Sequence, residues 1–217
     1  LVMRGFVLAL AHLRDPAYRR TQESTAKSPA SSGPGSEAKS PACFTYDLQV
    51  LEYACGKQNH VCRGVWSAEL HNQCDMADMA VILLGFLEEV RHGPRTAESL
   101  RSLKDDGGYS TPLDMFTDSY SIFSYLRTQH LKFPAEKGTF FHLAYLRELL
   151  EKKVIRSLTW VDTRDMFADG MTKGALDRAA LVEVMLGTWT LRHKAETHHE
   201  TPKTDDGDAT ATARRLT

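Results

Sequence analysis

The chain has 217 residues, of which 42% are hydrophobic, and this is enough to bury the core of one domain. Its formal net charge is -1, so overall charge gives no attraction to nucleic acid and a polyanion would need a local basic patch. The longest apolar run, residues 79–87, is interrupted by Gly85 and is too short to span a bilayer, so we expect no membrane contact.

The first part of the chain predicts two strands separated by a polar insertion. Residues 5–13 (GFVLALAHL) form an apolar run of the length of a buried strand. Residues 44–54 (FTYDLQVLEYA) alternate apolar and polar side chains, as a half-buried strand does. Residues 19–42 are rich in Ser, Pro and Gly and have almost no core-forming side chains, so we expect a disordered insertion there.

The middle of the chain predicts helices. From Leu70 to Leu84 an apolar residue recurs every three or four positions, which places one apolar stripe on a long helix over residues 66–91. A polar connection that ends at Thr111-Pro112 is followed by a short strand at 113–119 and a short helix at 119–131. A second amphipathic helix is expected over residues 135–153, with leucines on one face and charged residues on the other.

The last third of the chain predicts one more strand and one more helix. Residues 154–161 (VIRSLTWV) form the strand, and the helix is expected around residues 176–187. We assign residues 1–18 to an N-terminal strand and 43–190 to the rest of one domain, with a disordered polar tail at 191–217. This order of elements predicts an α/β fold in which helices flank a mixed central sheet.

Three acidic residues occupy positions where α/β proteins often build a site. Glu69 is at the start of the long helix, Asp118 follows a strand, and Asp169 follows the last predicted strand. Carboxylates gathered at strand ends would suit a hard cation such as Mg²⁺. Taken singly, each acid also fits a structural role: the first turn of a helix for Glu69, an N-cap for Asp118 and a turn for Asp169.

Several motifs, in this order, resemble the ribonuclease H domain at the end of Copia-type LTR retrotransposon Pol polyproteins. They are WSAEL (66–70), MFTDS (115–119) and WVDTRDMFADGMTK (160–173), with weaker likeness in GKQNHVCRGVWSAEL (56–70) and PAEKGTFFHLAYLRELLEKKVI (134–155). The resemblance covers about residues 56–173. It implies a ribonuclease H-like fold with a mixed central sheet flanked by helices.

The resemblance also implies a reaction and a set of site residues. Glu69, Asp118 and Asp169 would be the catalytic carboxylates that hold Mg²⁺ or Mn²⁺, two ions in a complete site, with Asp165 as a rival for the last position. The reaction would be hydrolysis of the RNA strand of RNA–DNA hybrids during reverse transcription. The expected partners are the hybrid and the upstream reverse transcriptase domain of the same polyprotein, in a cytoplasmic virus-like particle or in the nucleus.

Substrate contacts are expected mainly at backbone phosphates and at the 2′-hydroxyls of the RNA strand. Side chains near the helix start, near the strand end and on the later helix could make them. These candidates are Lys57, Gln58, Asn59, Ser119, Lys137 and Arg147.

The sequence departs from the family pattern in two places. The family's first carboxylate lies on a strand that would precede residues 5–13, so we expect a domain truncated at its N-terminus whose cleavage is much reduced or absent. Ser119 stands where the family often has asparagine. The alternative is a non-catalytic remnant that binds nucleic acid or protein, and the long insertion inside an expected hairpin favours it.

Overall fold

The computed structural model of the protein describes residues 3–14, 44–57, 62–128, 130–172 and 178–200, with side chains from Phe6 onward except those of Lys57 and Thr172. The predicted insertion at 19–42 therefore lies outside the described residues, as does the end of the predicted tail from 201 onward. In the described part, no helix has the length and apolar character required to cross a membrane.

Six strands and six helices make up the described fold. In chain order they are β1 (Met3–Leu13), β2 (Phe44–Lys57), α1 (Val65–His92), α2 (Ala97–Asp106), β3 (Leu113–Thr117), α3 (Tyr120–Leu126), α4 (Phe140–Glu151), β4 (Ile155–Val161), α5 (Asp169–Thr172), α6 (Ala179–Met185), β5 (Thr188–Leu191) and β6 (Ala195–His198). Short 3-10 turns lie at Lys137–Thr139 and Thr163–Asp165.

The strands form two three-stranded sheets. In the first sheet, with order β1-β2-β5, all neighbours are antiparallel. In the second, with order β3-β4-β6, β3 is parallel to β4 and β6 is antiparallel to it. The predicted α/β class is confirmed, but the expectation of one central sheet is wrong for the described residues. Among the described strands, β1 is an edge of the first sheet and β3 is an edge of the second.

Helix α1 packs against both sheets with the stripe that the sequence predicts. Leu70, Cys74, Ala77 and Leu84 are all buried on it, and they belong to a core cluster that includes residues of β3, α3, α4 and β4. Burial raises the pKa of the Cys74 thiol to about 12, so this cysteine is an uncharged core residue. The helix spans 65–92 against a prediction of 66–91.

Helix α2 lies in a stretch that we expected to be a polar connection. Its N-terminus is capped by Thr96, whose hydroxyl accepts from the Ser99 N–H at 3.2 Å. It ends at Gly107, which has a positive φ of 66° and lies so close to α4 that an added Cβ would be 1.9 Å from the Lys152 carbonyl oxygen. Only glycine combines that conformation with that approach.

A second, smaller core cluster lies at the C-terminal end of the described chain. It contains Val161, Val184, Trp189 and Leu191, and the Trp189 ring packs edge-on against Phe116 at 4.9 Å. Strands β5 and β6 therefore extend the ordered chain past residue 190. The expectation of a disordered tail is wrong for residues 191–200, because these strands pair with β2 and β4.

Candidate active site

A cavity of about 770 Å³ lies between the two sheets, beneath α1. Residues of β1 form one side of it, all five residues of β3 form the other, and the inward face of α1 covers it. Glu69, Asp118 and Asp169 all line this cavity. The fold thus brings three acids that are distant in sequence to the wall of one space.

Glu69 is the fifth residue of α1 and is partly buried. Its Oε2 atom accepts a hydrogen bond from the Ser119 hydroxyl at 2.7 Å. Ser119 itself is only 8% exposed and precedes α3, and its backbone N–H donates to the Thr117 hydroxyl at 3.1 Å. Ser119, predicted to contact nucleic acid, thus fixes the position of the Glu69 carboxylate.

Asp118 directly follows β3, which agrees with its predicted position at a strand end. Its backbone carbonyl accepts a hydrogen bond from the indole N–H of Trp160 at 2.9 Å. Trp160 lies on β4, the parallel neighbour of β3, so the two strand ends are tied together at the edge where α/β proteins bind ligands.

Asp169 and its rival Asp165 have different surroundings. Asp169 begins α5, is partly buried and lines the cavity. Asp165 is 3% exposed, and its carboxylate accepts from the backbone N–H groups of Arg192 and His193 at 2.9 and 2.7 Å and contacts His193 Nδ1 at 2.8 Å. Asp165 therefore holds the turn between β5 and β6, and Asp169 is the acid that faces the cavity.

The fit of the three acids to a metal ion can be tested from their placement. Among the described side chains, no group of three or more Asp, Glu, His or Cys residues is placed to hold an ion. Glu69, Asp118 and Asp169 thus share one cavity without forming a closed set of ligands. The residues present do not fit the expected Mg²⁺ or Mn²⁺ centre as they stand.

The sequence did not single out Gln73, which lies one turn along α1 from Glu69. Its amide nitrogen donates to the Thr117 hydroxyl at 2.7 Å. The amide oxygen is buried and, among the described residues, has no hydrogen-bond partner. Gln73 is 6% exposed and lines the cavity. Because Gln73 lies beside the predicted apolar stripe of α1, the hydrophobic pattern gave no indication that it lines a cavity.

Asp114 and Arg156 form an ion pair at the start of β3 and also line the cavity. Burial raises the pKa of Asp114, but hydrogen bonds from Arg156 and from the Ser157 hydroxyl, at 2.6 Å, outweigh it and lower that pKa overall. The ion pair joins β3 to β4. It lies at the start of β3, whereas Asp118 follows the end of that strand.

The residues predicted to contact nucleic acid differ in their exposure to solvent. The side chain of Lys57 and residues Gln58 and Asn59 lie outside the described residues, and Lys137 is exposed in the turn before α4. Arg147 is 7% exposed and donates to the Leu126 carbonyl and, at 2.9 Å, to that of Thr128. It also pairs with Glu200 at 2.8 Å, so its donors are used inside the fold.

Comparison of the chain with protein-family models, with curated proteins and with solved structures gives no match. The site is therefore interpreted from its own residues and from the motifs around them.

Proposed function

We propose that the chain is a ribonuclease H-like domain of the Copia retrotransposon type, acting on the RNA strand of RNA–DNA hybrids during reverse transcription, with impaired cleavage in this chain. One observation carries the proposal. Acids from α1, from the end of β3 and from the start of α5 line the same cavity, in the order that the motif resemblance implies.

Two hydrogen bonds hold these acids in place, and this supports a functional site rather than a chance proximity of three acids. Ser119 holds the Glu69 carboxylate and Trp160 holds the backbone of Asp118. Functional carboxylates need such supporting contacts, because a loosely held side chain loses the geometry that a reaction requires.

The impaired cleavage follows from the state of the cavity. The three carboxylates do not fit a metal ion as they are placed, and β1 and β3, which both line the cavity, belong to separate sheets among the described strands. In the proposal the cofactor is Mg²⁺ or Mn²⁺, the partners are the hybrid and an upstream reverse transcriptase domain, and the reaction takes place in a cytoplasmic virus-like particle or in the nucleus.

A hybrid-cleavage assay tests the proposal. The purified chain is incubated with a labelled RNA–DNA hybrid in Mg²⁺ or Mn²⁺, beside Asp118→Asn, Glu69→Gln and the control Asp106→Asn. Asp106 is an exposed acid at the end of α2. We expect weak cleavage of the RNA strand that both cavity variants abolish and the control retains.

Two other results are informative. Robust turnover that Asp118→Asn abolishes would support the family and show that the impairment is wrong. Cleavage that persists in both cavity variants, or failure to bind the hybrid at all, would overturn the proposal.

The alternative function is a non-catalytic module that binds nucleic acid or protein, and the absence of a metal-binding group among the described residues favours it. Calorimetric titration with Mn²⁺ separates the two. A nuclease site binds the ion through Glu69 and Asp118, so their variants weaken binding, whereas a module binds hybrid with an affinity that neither the ion nor these variants change.

A further inference from the structure

We propose that the cleft where α1, α2 and α4 meet is a docking site for a helix of a partner protein, one that carries an apolar stripe with acidic side chains beside it. The cleft has a volume of about 730 Å³. None of the residues that line it also lines the cavity of Glu69, Asp118 and Asp169. The proposal therefore concerns a second site and goes beyond the nuclease function.

A stripe of large apolar side chains on α1 is exposed to solvent at the cleft. Ile82, Phe86 and Val90 are 65%, 59% and 68% exposed, and Met79 is 36% exposed. They recur every three or four residues and so lie on one face of the helix. At about 1.5 Å per residue the stripe is about 16 Å long, which matches three turns of a second helix. A continuous exposed patch of this kind marks an interaction surface.

Helix α2, which forms one wall of the cleft, is incompletely covered by the rest of the described fold. It buries no residue, and Leu100, which lines the cleft, is only partly buried. A helix of this length is not stable alone in water and depends on packing. A partner helix in the cleft would cover Leu100 together with Ile82 and Phe86.

The shape of the cleft suits a helix. Gly85 and Leu149 line it and are buried, whereas Ile82 and Phe86 line it and are exposed. Gly85 has no side chain to fill the space between α1 and α2, and a Cβ added there would be 3.8 Å from Leu100. A concave apolar surface between helices accepts the side-chain ridge of another helix. The flat surface of a membrane would not reach its inner residues.

Two cations at the cleft are available to a partner. Arg101 and Lys104 line it from α2, and among the described residues neither is in an ion pair. The Lys104 ammonium lies 5.6 Å from the centre of the Tyr145 ring. Cations placed in this way attract carboxylates and select against a basic partner.

The acids that line the cleft already have partners. Asp105 and Glu148 both pair with Lys152, at 3.0 and 2.7 Å. The Glu89 carboxylate accepts from the backbone N–H of Arg95 at 3.1 Å. The charge left for a partner is therefore positive, and this is why the proposed helix is acidic.

A synthetic peptide tests the docking site. It is a capped helix of about 18 residues built from Leu, Ala and Glu, with leucines every three or four positions and glutamates beside them. Binding of its fluorescein-labelled form to the full chain is followed by anisotropy, without divalent ions or hybrid. We expect a peptide with lysines in place of the glutamates to bind at least about tenfold more weakly.

Reversing the charge of the cleft should reverse this preference. Arg101→Glu together with Lys104→Glu should weaken the acidic peptide at least about tenfold and strengthen the lysine peptide. The matched control is Arg63→Glu together with Arg178→Glu, which changes the net charge equally at two exposed residues outside the cleft. We expect the control to bind both peptides like the unmodified chain.

A second pair of variants tests the apolar contact. Phe86→Ser removes an exposed ring from the cleft and should weaken the acidic peptide at least about fivefold. Met185→Ser changes a side chain of α6 that is 79% exposed and lies outside the cleft, so it should leave binding unchanged. Because both side chains are exposed, both variants should fold, and this comparison still decides if the charge-reversed chain does not.

Hydrogen exchange locates the bound peptide. We expect the amides of α2 to exchange at least about tenfold more slowly when the acidic peptide is bound, and those of β1 to be unaffected. Protection elsewhere without protection of α2 would place the peptide outside the cleft and overturn the proposal.

Four other outcomes would also overturn it. They are no binding at concentrations up to about 1 mM, equal binding of the acidic and lysine peptides, binding of anionic lipid vesicles that the peptide competes away, and a dimer of the chain that Phe86→Ser dissociates. Because the assay contains no metal and no hybrid, its result is independent of the nuclease test. Peptide binding by a chain that does not bind the hybrid would keep the docking site and overturn the proposed function, and the reverse result would do the opposite.

Discussion

The Ser119 hydroxyl donates to Glu69 Oε2 at 2.7 Å, which links the residue before α3 to the second turn of α1. Ser119 is 8% exposed, so this hydrogen bond to a charged group is largely protected from water. Bonds of this kind are stronger than those between two neutral groups.

Ser119→Ala should lower the free energy of unfolding by about 1 to 2 kcal/mol, because it removes this bond and leaves one carboxylate oxygen with less support. Denaturant titration measures the change. Ser102→Ala is the control, since Ser102 donates to Asp106 at 3.0 Å on an exposed surface, and its effect should stay below about 0.5 kcal/mol. Equal effects would mean that the Ser119–Glu69 bond gives no special stability.

Asp165→Ala should destabilise the protein by about 2 to 4 kcal/mol, because the backbone N–H groups of Arg192 and His193 would lose their acceptor. Asp169→Ala removes an acid from the cavity wall and should cost about 1 kcal/mol or less. Thermal unfolding of both variants checks this. A larger loss for Asp169→Ala would reverse the roles that we give to the two acids.

Glu88 should make stability depend on pH at the acidic end. It is buried near the end of α1, and hydrogen bonds from Ser110, with the charges of His92 and Arg95, lower its pKa. The charged form is therefore favoured by folding. Its stabilisation is present above the ordinary pKa of a glutamate and is lost as the pH falls through the lowered value.

Glu88→Gln should accordingly reduce stability most near neutral pH, and the gap from the unmodified protein should close as the solution is acidified. Urea titrations across this range give the comparison. Glu98→Gln changes an exposed glutamate of α2 and should leave the pH profile in place. A gap that stays constant with pH would show that the Glu88 charge is not the cause.

Arg147 and Lys137 should affect different properties. Arg147→Met should destabilise the fold by about 2 to 3 kcal/mol, because the carbonyls of Leu126 and Thr128 and the Glu200 carboxylate lose a charged donor. Lys137→Ala changes an exposed residue, so it should leave stability unchanged and weaken hybrid binding, with a smaller dependence on salt. Fluorescence anisotropy over a salt series measures this, and unchanged binding in Lys137→Ala would remove that residue from the interface.

The sequence predicted the elements that have a strong apolar period. Helix α1 was expected at 66–91 and lies at 65–92, because its buried side chains recur with the helical repeat. The strands predicted at 5–13, 44–54 and 154–161 are also confirmed, because their apolar residues form runs or alternate along the chain. Helix α2 was missed because it is short and buries no residue fully, and its apolar face has only two large side chains, Leu100 and Leu103.

Features that depend on distant pairing could not be read from local patterns. The last two strands are four residues each. β5 follows α6 closely, β6 lies in a polar stretch, and both are defined by their pairing with β2 and β4. The division of the predicted sheet into two has the same origin, since it depends on which distant strands pair. For the site, the three acids were selected by their positions at element ends together with the motif resemblance, but only the fold separates Asp169 from Asp165 and reveals Gln73.

The two separate core clusters affect how the protein unfolds. Trp160 packs against the larger cluster and Trp189 belongs to the smaller one, and no described strand connects the sheets behind them. The smaller cluster joins the two sheets instead, because Val161 of β4 and Phe116 of β3 pack there with Trp189 of β5. We therefore expect the described fold to unfold in one cooperative transition.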